Sequence, residues 1–261
     1  MNPPVYFGRV GSPMSPFGKR KSETMIKKKL LLSLLSTCVM PLALAAEFVP
    51  NTLTDAEKAD GWVLLFDGKD ASEHFRGYGK ETLPEGWVAE DGALFRKGRG
   101  DIITKKKYES FELRIDWKIS EGGNSGIIFK VVETNGAPFN SGPEAQIQDN
   151  VKGTHPQKAG WVFALYPAKI DTTKPAGEWN EFVLKCQKTP KGTYRCEHWI
   201  NGEKYVEYEI GSYDWYEKVA KSKYRNAKDY GMADEGFICL QDHGDEVWFR
   251  NIRIKELPAL K

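Results

Sequence analysis

Apolar and polar residues alternate along most of this chain with a period of two. Phe111, Leu113, Ile115 and Trp117 share one face of a predicted strand. Ile127–Val132 is a second strand of nearly continuous apolar character. The same alternation runs through Trp179–Cys186, returns over Arg195–Ile200, and continues beyond Asn201-Gly202, the strongest hairpin signal in the chain. Trp87–Ala89 and Ala93–Arg96 flank Asp91-Gly92 as another hairpin, and GFICL and VWFRNIRIKEL close the chain as two strands around His243-Gly244-Asp245. Helical signals are few: a short helix capped by Thr54, and a helical or irregular insertion over 215–230. About twelve short strands with no fixed repeat predict an all-β sandwich of two antiparallel sheets, and the missing repeat excludes a propeller.

One stretch breaks the apolar rule. In Gly142-Pro143-Glu144-Ala145-Gln146-Ile147-Gln148-Asp149-Asn150, the side chains of Glu144, Gln146, Gln148 and Asn150 fall on one strand face. A row of carboxylate and amides is poor core material, so this face is expected to meet solvent or line a polar groove.

Composition adds a leader. Met25, Lys27–Lys29, LLLSLLS and CVMPLALAA have the layout of a secretory signal cleaved after Ala45 or Ala46, which predicts a periplasmic or secreted protein. A lipoprotein reading at Cys38 is the weaker alternative. Residues 1–46 are expected to be leader and 47–261 one domain. Seven of the basic residues and one acidic residue lie in the leader, so the formal charge of +2 becomes −4 without it. The mature part has no transmembrane segment and no basic, aromatic-interleaved face for nucleic acid. Cys186 and Cys196 are equally distant from Lys191 in the Thr189–Gly192 turn, which predicts a cross-strand disulfide.

Candidate chemistry centres on Glu144, held by the Gly-Pro approach and flanked by amides, as a base or a ligand for sugar hydroxyls. Asn124, in the Gly122–Gly126 loop, points toward the same groove. That loop fits neither a P-loop nor a dinucleotide fingerprint. His243 lies beside Asp242, which could fix its tautomer. His198 and Trp199 face opposite ways on one strand, so one is core and the other is offered to groove or solvent. No HExxH, CxxC pair, EF-hand loop or GxSxG elbow occurs. The Glu-x-Asp-x-x-Glu pattern of retaining sandwich glucanases is also missing.

Six ordered segments, GWVLLFDGKD, GNSGIIFK, GPEAQIQDN, GEWNEF, HWINGEKYVEY and GFICLQDHGDEVWFRNIRIKEL, resemble the secreted bacterial 3-keto-disaccharide hydrolase family over about residues 60–258. The resemblance implies a concanavalin-like jelly roll acting on glycosides oxidised to a ketone at C3. A C3 ketone makes the C2 proton acidic, so one base can drive elimination of the aglycone, with hydration to follow. Chemistry and motif position then suggest Glu144 or His243 as base and His198 as a further catalytic contact. Asn124, Gln146, Gln148, Trp199 and Asp242 would be substrate contacts, with a possible divalent cation at the ketone. A non-catalytic carbohydrate-binding sandwich and a conventional glycoside hydrolase are the alternatives. Oligomeric state is open.

Overall fold

A computed structural model describes residues 49–133, 136–227 and 229–261, and the expected leader, its cleavage site and the lipoprotein alternative lie outside the described residues. The chain enters through helix α1 (Asp55–Ala59), closed by a capping box: Thr54 Oγ1 accepts from Glu57 N–H, and the Glu57 carboxylate accepts from Thr54 N–H at 2.8 Å. Strands β1 (Val63–Leu64), β2 (Phe75–Gly77), β3 (Trp87–Glu90), β4 (Ala93–Arg96) and β5 (Ile102–Thr104) follow. The long pair β6 (Phe111–Ile119) and β7 (Asn124–Val131) leads through a 3-10 turn (Pro138–Asn140) into β8 (Glu144–Gln148). Next come β9 (Asn180–Lys188), β10 (Tyr194–Ile200), β11 (Glu203–Ile210), helix α2 (Tyr213–Lys221), β12 (Phe237–Leu240) and β13 (Val247–Glu256).

The expected antiparallel sandwich is what forms. One sheet has the order β11-β10-β9-β6-β13-β4-β3, with β1 on β13, and the other has the order β2-β5-β12-β7-β8. Alternation decides what lies between them. Ile127, Phe129, Ala145, Ile147, Ile238 and Leu240 of the five-stranded sheet point inward against Leu113, Ile115, Trp117, Phe182, Leu184 and Phe249 of the other, all at most 2% exposed. Each of the larger of these side chains contributes about 1.5–3 kcal/mol by leaving water. The hairpin at Asn201-Gly202 forms with both residues at positive φ (50° and 85°), the conformation an Asn-Gly turn supplies.

Two expectations change here. The register pairs Cys186 directly with Cys196, as the turn spacing implied, yet both are free, buried thiols. Register fixes the separation of the two backbones, but a bridge also needs the two Sγ atoms brought within about 2 Å at the right torsion. The two thiols stay unbonded in the core, where Cys196 Sγ donates to Tyr194 O (3.8 Å). The second change concerns the polar face of β8. Glu144, Gln146 and Gln148 turn away from the inter-sheet core as alternation requires, but they are 4%, 1% and 1% exposed. The irregular segment after Asn150 covers them: Trp161–Phe163 runs along the free edge of β8, with Gln146 N–H donating to Trp161 O (3.0 Å) and Phe163 N–H to Glu144 O (2.9 Å).

Candidate functional site

Glu144, Gln146, Asn124 and Gln241 stand on the outer face of the five-stranded sheet, because β7 and β8 pair Ile128 with Glu144, Gly126 with Gln146 and Asn124 with Gln148. They line a cavity of about 180 Å³ together with Phe139, His155, Phe163, Lys223 and His243. The turn before β8 explains how the strand starts so close to its neighbour. A Cβ on Gly142 would lie 2.1 Å from Phe129 O, so only glycine fits, and Phe129 N–H then donates to Pro143 O (3.1 Å).

The cavity floor is polar and short of partners. Gln146 Nε2 donates to Asn124 Oδ1 at 3.1 Å, while the Oε1 atoms of Gln146, Gln148 and Gln241 are buried with no hydrogen-bond partner. Unpartnered buried acceptors are costly, by ~1–3 kcal/mol each, and two of these three belong to cavity-lining residues, where a ligand's hydroxyl donors can satisfy them. Burial pushes the Glu144 carboxyl up to about 7, with Lys223 favouring the ionised form, Asp101 opposing it, and a hydrogen bond from Gln241 favouring it. Asp101, itself raised mainly by burial, accepts from Asp242 N–H at 2.8 Å.

The remaining wall is aromatic and comes from two loops and an insertion. Phe139 is in the 3-10 turn, and Phe163 packs against His155 with ring centroids 5.0 Å apart. His155 Nδ1 accepts from Gln157 N–H (3.2 Å). Helix α2 starts at Ser212, whose Oγ accepts from Trp215 N–H (3.1 Å). Trp215 is fully buried and stacks on Tyr208 and Tyr230 at 6.0 and 5.9 Å. Tyr224 in turn stacks on Tyr230 at 4.2 Å, so the segment after α2 is anchored where Lys223 reaches the cavity.

The other sequence-derived candidates fare unequally. His243 reaches the rim from the exposed loop between β12 and β13. Gln148 lies beneath the loop, its Nε2 donating to His155 O at 3.2 Å. Asp242 is engaged elsewhere: it pairs with Arg96 at 2.5 Å and accepts from Gly100 N–H, which fixes the loop that carries His243. His198 and Trp199 are corrections, because alternation assigns a face but not a sheet, and β10 belongs to the sheet that does not carry the cavity. His198 is fully buried between the sheets, where Gly160 O can only accept; Nδ1 therefore carries the proton (3.0 Å) and Nε2 accepts from the Tyr208 hydroxyl (3.1 Å). Trp199 lines a separate, ion-paired hollow on the far face of the molecule with Arg114, Glu112 and Lys185. The sequence reading missed Lys223, His155, Phe139, Phe163, Asp101 and Gln241. Of these only Gln241 left a signal, as the polar residue continuing the outward positions Phe237 and Cys239.

Among the described residues, no group of three or more His, Cys, Asp and Glu side chains is placed to hold a metal ion. No helix among them is long and apolar enough to cross a membrane.

Comparison with known proteins agrees with the resemblance in the sequence. A 3-keto-disaccharide hydrolase of Bacteroides thetaiotaomicron is 34% identical over 238 residues, which cover 76% of this chain and 79% of that protein. A crystal structure of a candidate glycosyl hydrolase from Parabacteroides distasonis superposes with a TM-score of 0.73 at 36% identity, over 80% of this chain and all of that one. A second candidate glycosyl hydrolase from the same organism gives 0.55 at 28% identity, over 70% and 99% of the two chains. Residues 61–255 match the family described as the 3-keto-alpha-glucoside-1,2-lyase-like domain, and the chain belongs to that family.

Proposed function

We propose that this enzyme cleaves glycosides whose glucose C3 is a ketone, with Glu144 as the base that removes the C2 proton. One observation carries the reading: among the residues lining the cavity Glu144 is the only carboxylate, and burial pushes it up to about 7. Ordinary glycoside hydrolysis uses two carboxyl groups flanking the scissile bond, and this cavity offers one. A lone base poised near neutral pH suits abstraction of a proton made acidic by a neighbouring carbonyl. The amides beside it, Asn124, Gln146 and Gln241, can orient hydroxyls and the developing enolate without adding charge. The volume is small beside the ~300–1,000 Å³ of sites for drug-sized ligands, so it suits one sugar ring with the aglycone at the mouth. The name of the Bacteroides relative supports the same substrate class.

The oxygen set at the floor, one carboxylate with amide oxygens, would equally suit a hard divalent cation at the ketone. Dialysis against EDTA, followed by assay with and without added Mg²⁺, Ca²⁺ or Mn²⁺, separates the two. The test of the reading itself is aglycone release from a 3-keto-glucoside beside its unoxidised parent. Release from the ketone alone is expected. Equal release from both, or sugar binding with no release from either, would overturn it.

A further inference from the structure

Lys223 is a cation whose surroundings the activity described so far does not use. Its Nζ lies 4.0 Å from the centroid of Phe163, 5.0 Å from Tyr224 and 5.3 Å from Phe139. Three ring faces around one ammonium favour its placement there. The residue as a whole stays exposed, so the ammonium sits where the cavity opens to solvent, while Glu144 lies buried at the floor. Burial lowers the lysine from its ordinary value, and Glu144 opposes that change.

We propose that Lys223 is the catalytic acid that protonates the departing glycosidic oxygen while Glu144 takes the C2 proton. The inference rests on the 3-keto reading above. In the step, Glu144 removes H from C2, and the C–H electron pair becomes the C1–C2 double bond. The C1–O bond breaks with its pair on oxygen, and a proton from Lys223 completes the alcohol. The products are an enone and the free aglycone, with no change in overall oxidation state. Glu144 is left as a carboxylic acid and Lys223 as an amine, and transfer of that proton back through water restores both. The placement fits the geometry of the substrate: the C2 proton belongs to the ring in the cavity, and the glycosidic oxygen leads out of it. The neighbouring histidines serve less well. His155 has Nδ1 committed as an acceptor, and His243, equally exposed at the rim, is not held over the cavity's aromatic rings as Lys223 is.

The test compares 3-keto-glucosides carrying a p-nitrophenol or a methanol aglycone. Nitrophenolate leaves without protonation and methoxide does not. Lys223→Met is expected to lose ~10²–10⁴-fold in kcat/KM on the methyl glycoside and less than about tenfold on the nitrophenyl one. Lys223→Arg preserves a cation among the rings but does not release its proton, so it is expected to show the same split. Both variants should also lose the alkaline limb of the pH profile. Equal losses on the two substrates, or full rescue by arginine, would overturn the acid role. Wild-type protein that releases neither aglycone would instead sink the 3-keto reading itself. Circular dichroism of both variants confirms the fold, and because Lys223 is exposed, either variant alone suffices.

Discussion

Replacing Glu144 by glutamine separates stability from function in a way that depends on pH. The carboxyl moves from an ordinary 4.5 to about 7 on folding, and the side chain is only 4% exposed. At ~1.4 kcal/mol for each factor of ten in the ionisation constant, the folded state disfavours the charged form by about 3 kcal/mol. The sign follows from linkage. Between pH 4.5 and 7 the folded protein holds a proton that the unfolded chain has released, so stability falls as pH rises through this window and the deficit is complete above 7. Glutamine keeps the shape and accepts the same hydrogen bond from Gln241, but it never ionises. Glu144→Gln is therefore expected to raise the melting temperature at pH 8, by at most ~6–12 °C at 2–4 °C per kcal/mol for a domain of this size. At pH 4, where both states are protonated, it should change little. Over the same range kcat/KM on a 3-keto-glucoside should drop ~10²–10⁴-fold. The measurements are calorimetric melting at pH 4 and pH 8 and initial rates of aglycone release. A variant that keeps full rate, or one equally stabilised at both pH values, would refute the argument that this carboxylate is a strained base.

Three further outcomes follow from neighbouring contacts. A Cβ on Gly126 would come 2.7 Å from Glu144 Oε1, so Gly126→Ala should cost at least about tenfold in kcat/KM by displacing the base, against a loss of no more than ~1–3 kcal/mol in stability from overpacking, read by urea unfolding. His198 is neutral and buried, its value pressed down to about 4 from 6.5 chiefly by desolvation; it contributes stability above pH 6.5 that is lost as pH falls through 4, so His198→Gln should flatten that acid limb while leaving kcat/KM of the folded protein within about threefold. Non-reducing unfolding followed by alkylation and mass spectrometry should label Cys186, Cys196 and Cys239 as separate peptides, and a linked Cys186–Cys196 peptide would contradict the structure.

The sandwich was legible because period-two alternation states which residues a strand buries, and the Asn-Gly and Asp-Gly turns state where it reverses. Glu144, Gln146 and Asn124 were legible for the opposite reason: polar residues at regular positions on a strand require an explanation, and a covered cavity is that explanation. Alternation is silent on which sheet a strand joins. His198 shows the consequence, since its strand faces the shared core rather than the cavity. The cysteine pair shows another: spacing from a turn sets register, while bond formation depends on how the Cβ atoms are directed. Lys223 was invisible because it follows a short helix in an irregular segment, where no periodicity ties a residue to a direction. Its placement comes from the aromatic stack of Tyr208, Trp215, Tyr230 and Tyr224, contacts between residues distant from Glu144 in sequence.

That division has a physical reason. The sheet supplies the proposed base, and a strand holds a side chain rigidly enough to keep a carboxylate in a cavity that disfavours its charge. The aromatic wall, Lys223 and the rim histidine come from loops and an insertion packed over the sandwich core. Glu144 loses stability as pH rises through its window, and His198 loses it as pH falls through a lower one. Their opposing slopes overlap between pH 4.5 and 6.5, where these two contributions offset one another. Between pH 6.5 and 7 the loss from Glu144 is no longer offset by His198, and above 7, where that loss is complete, Glu144 is in the ionised form that C2 proton abstraction needs.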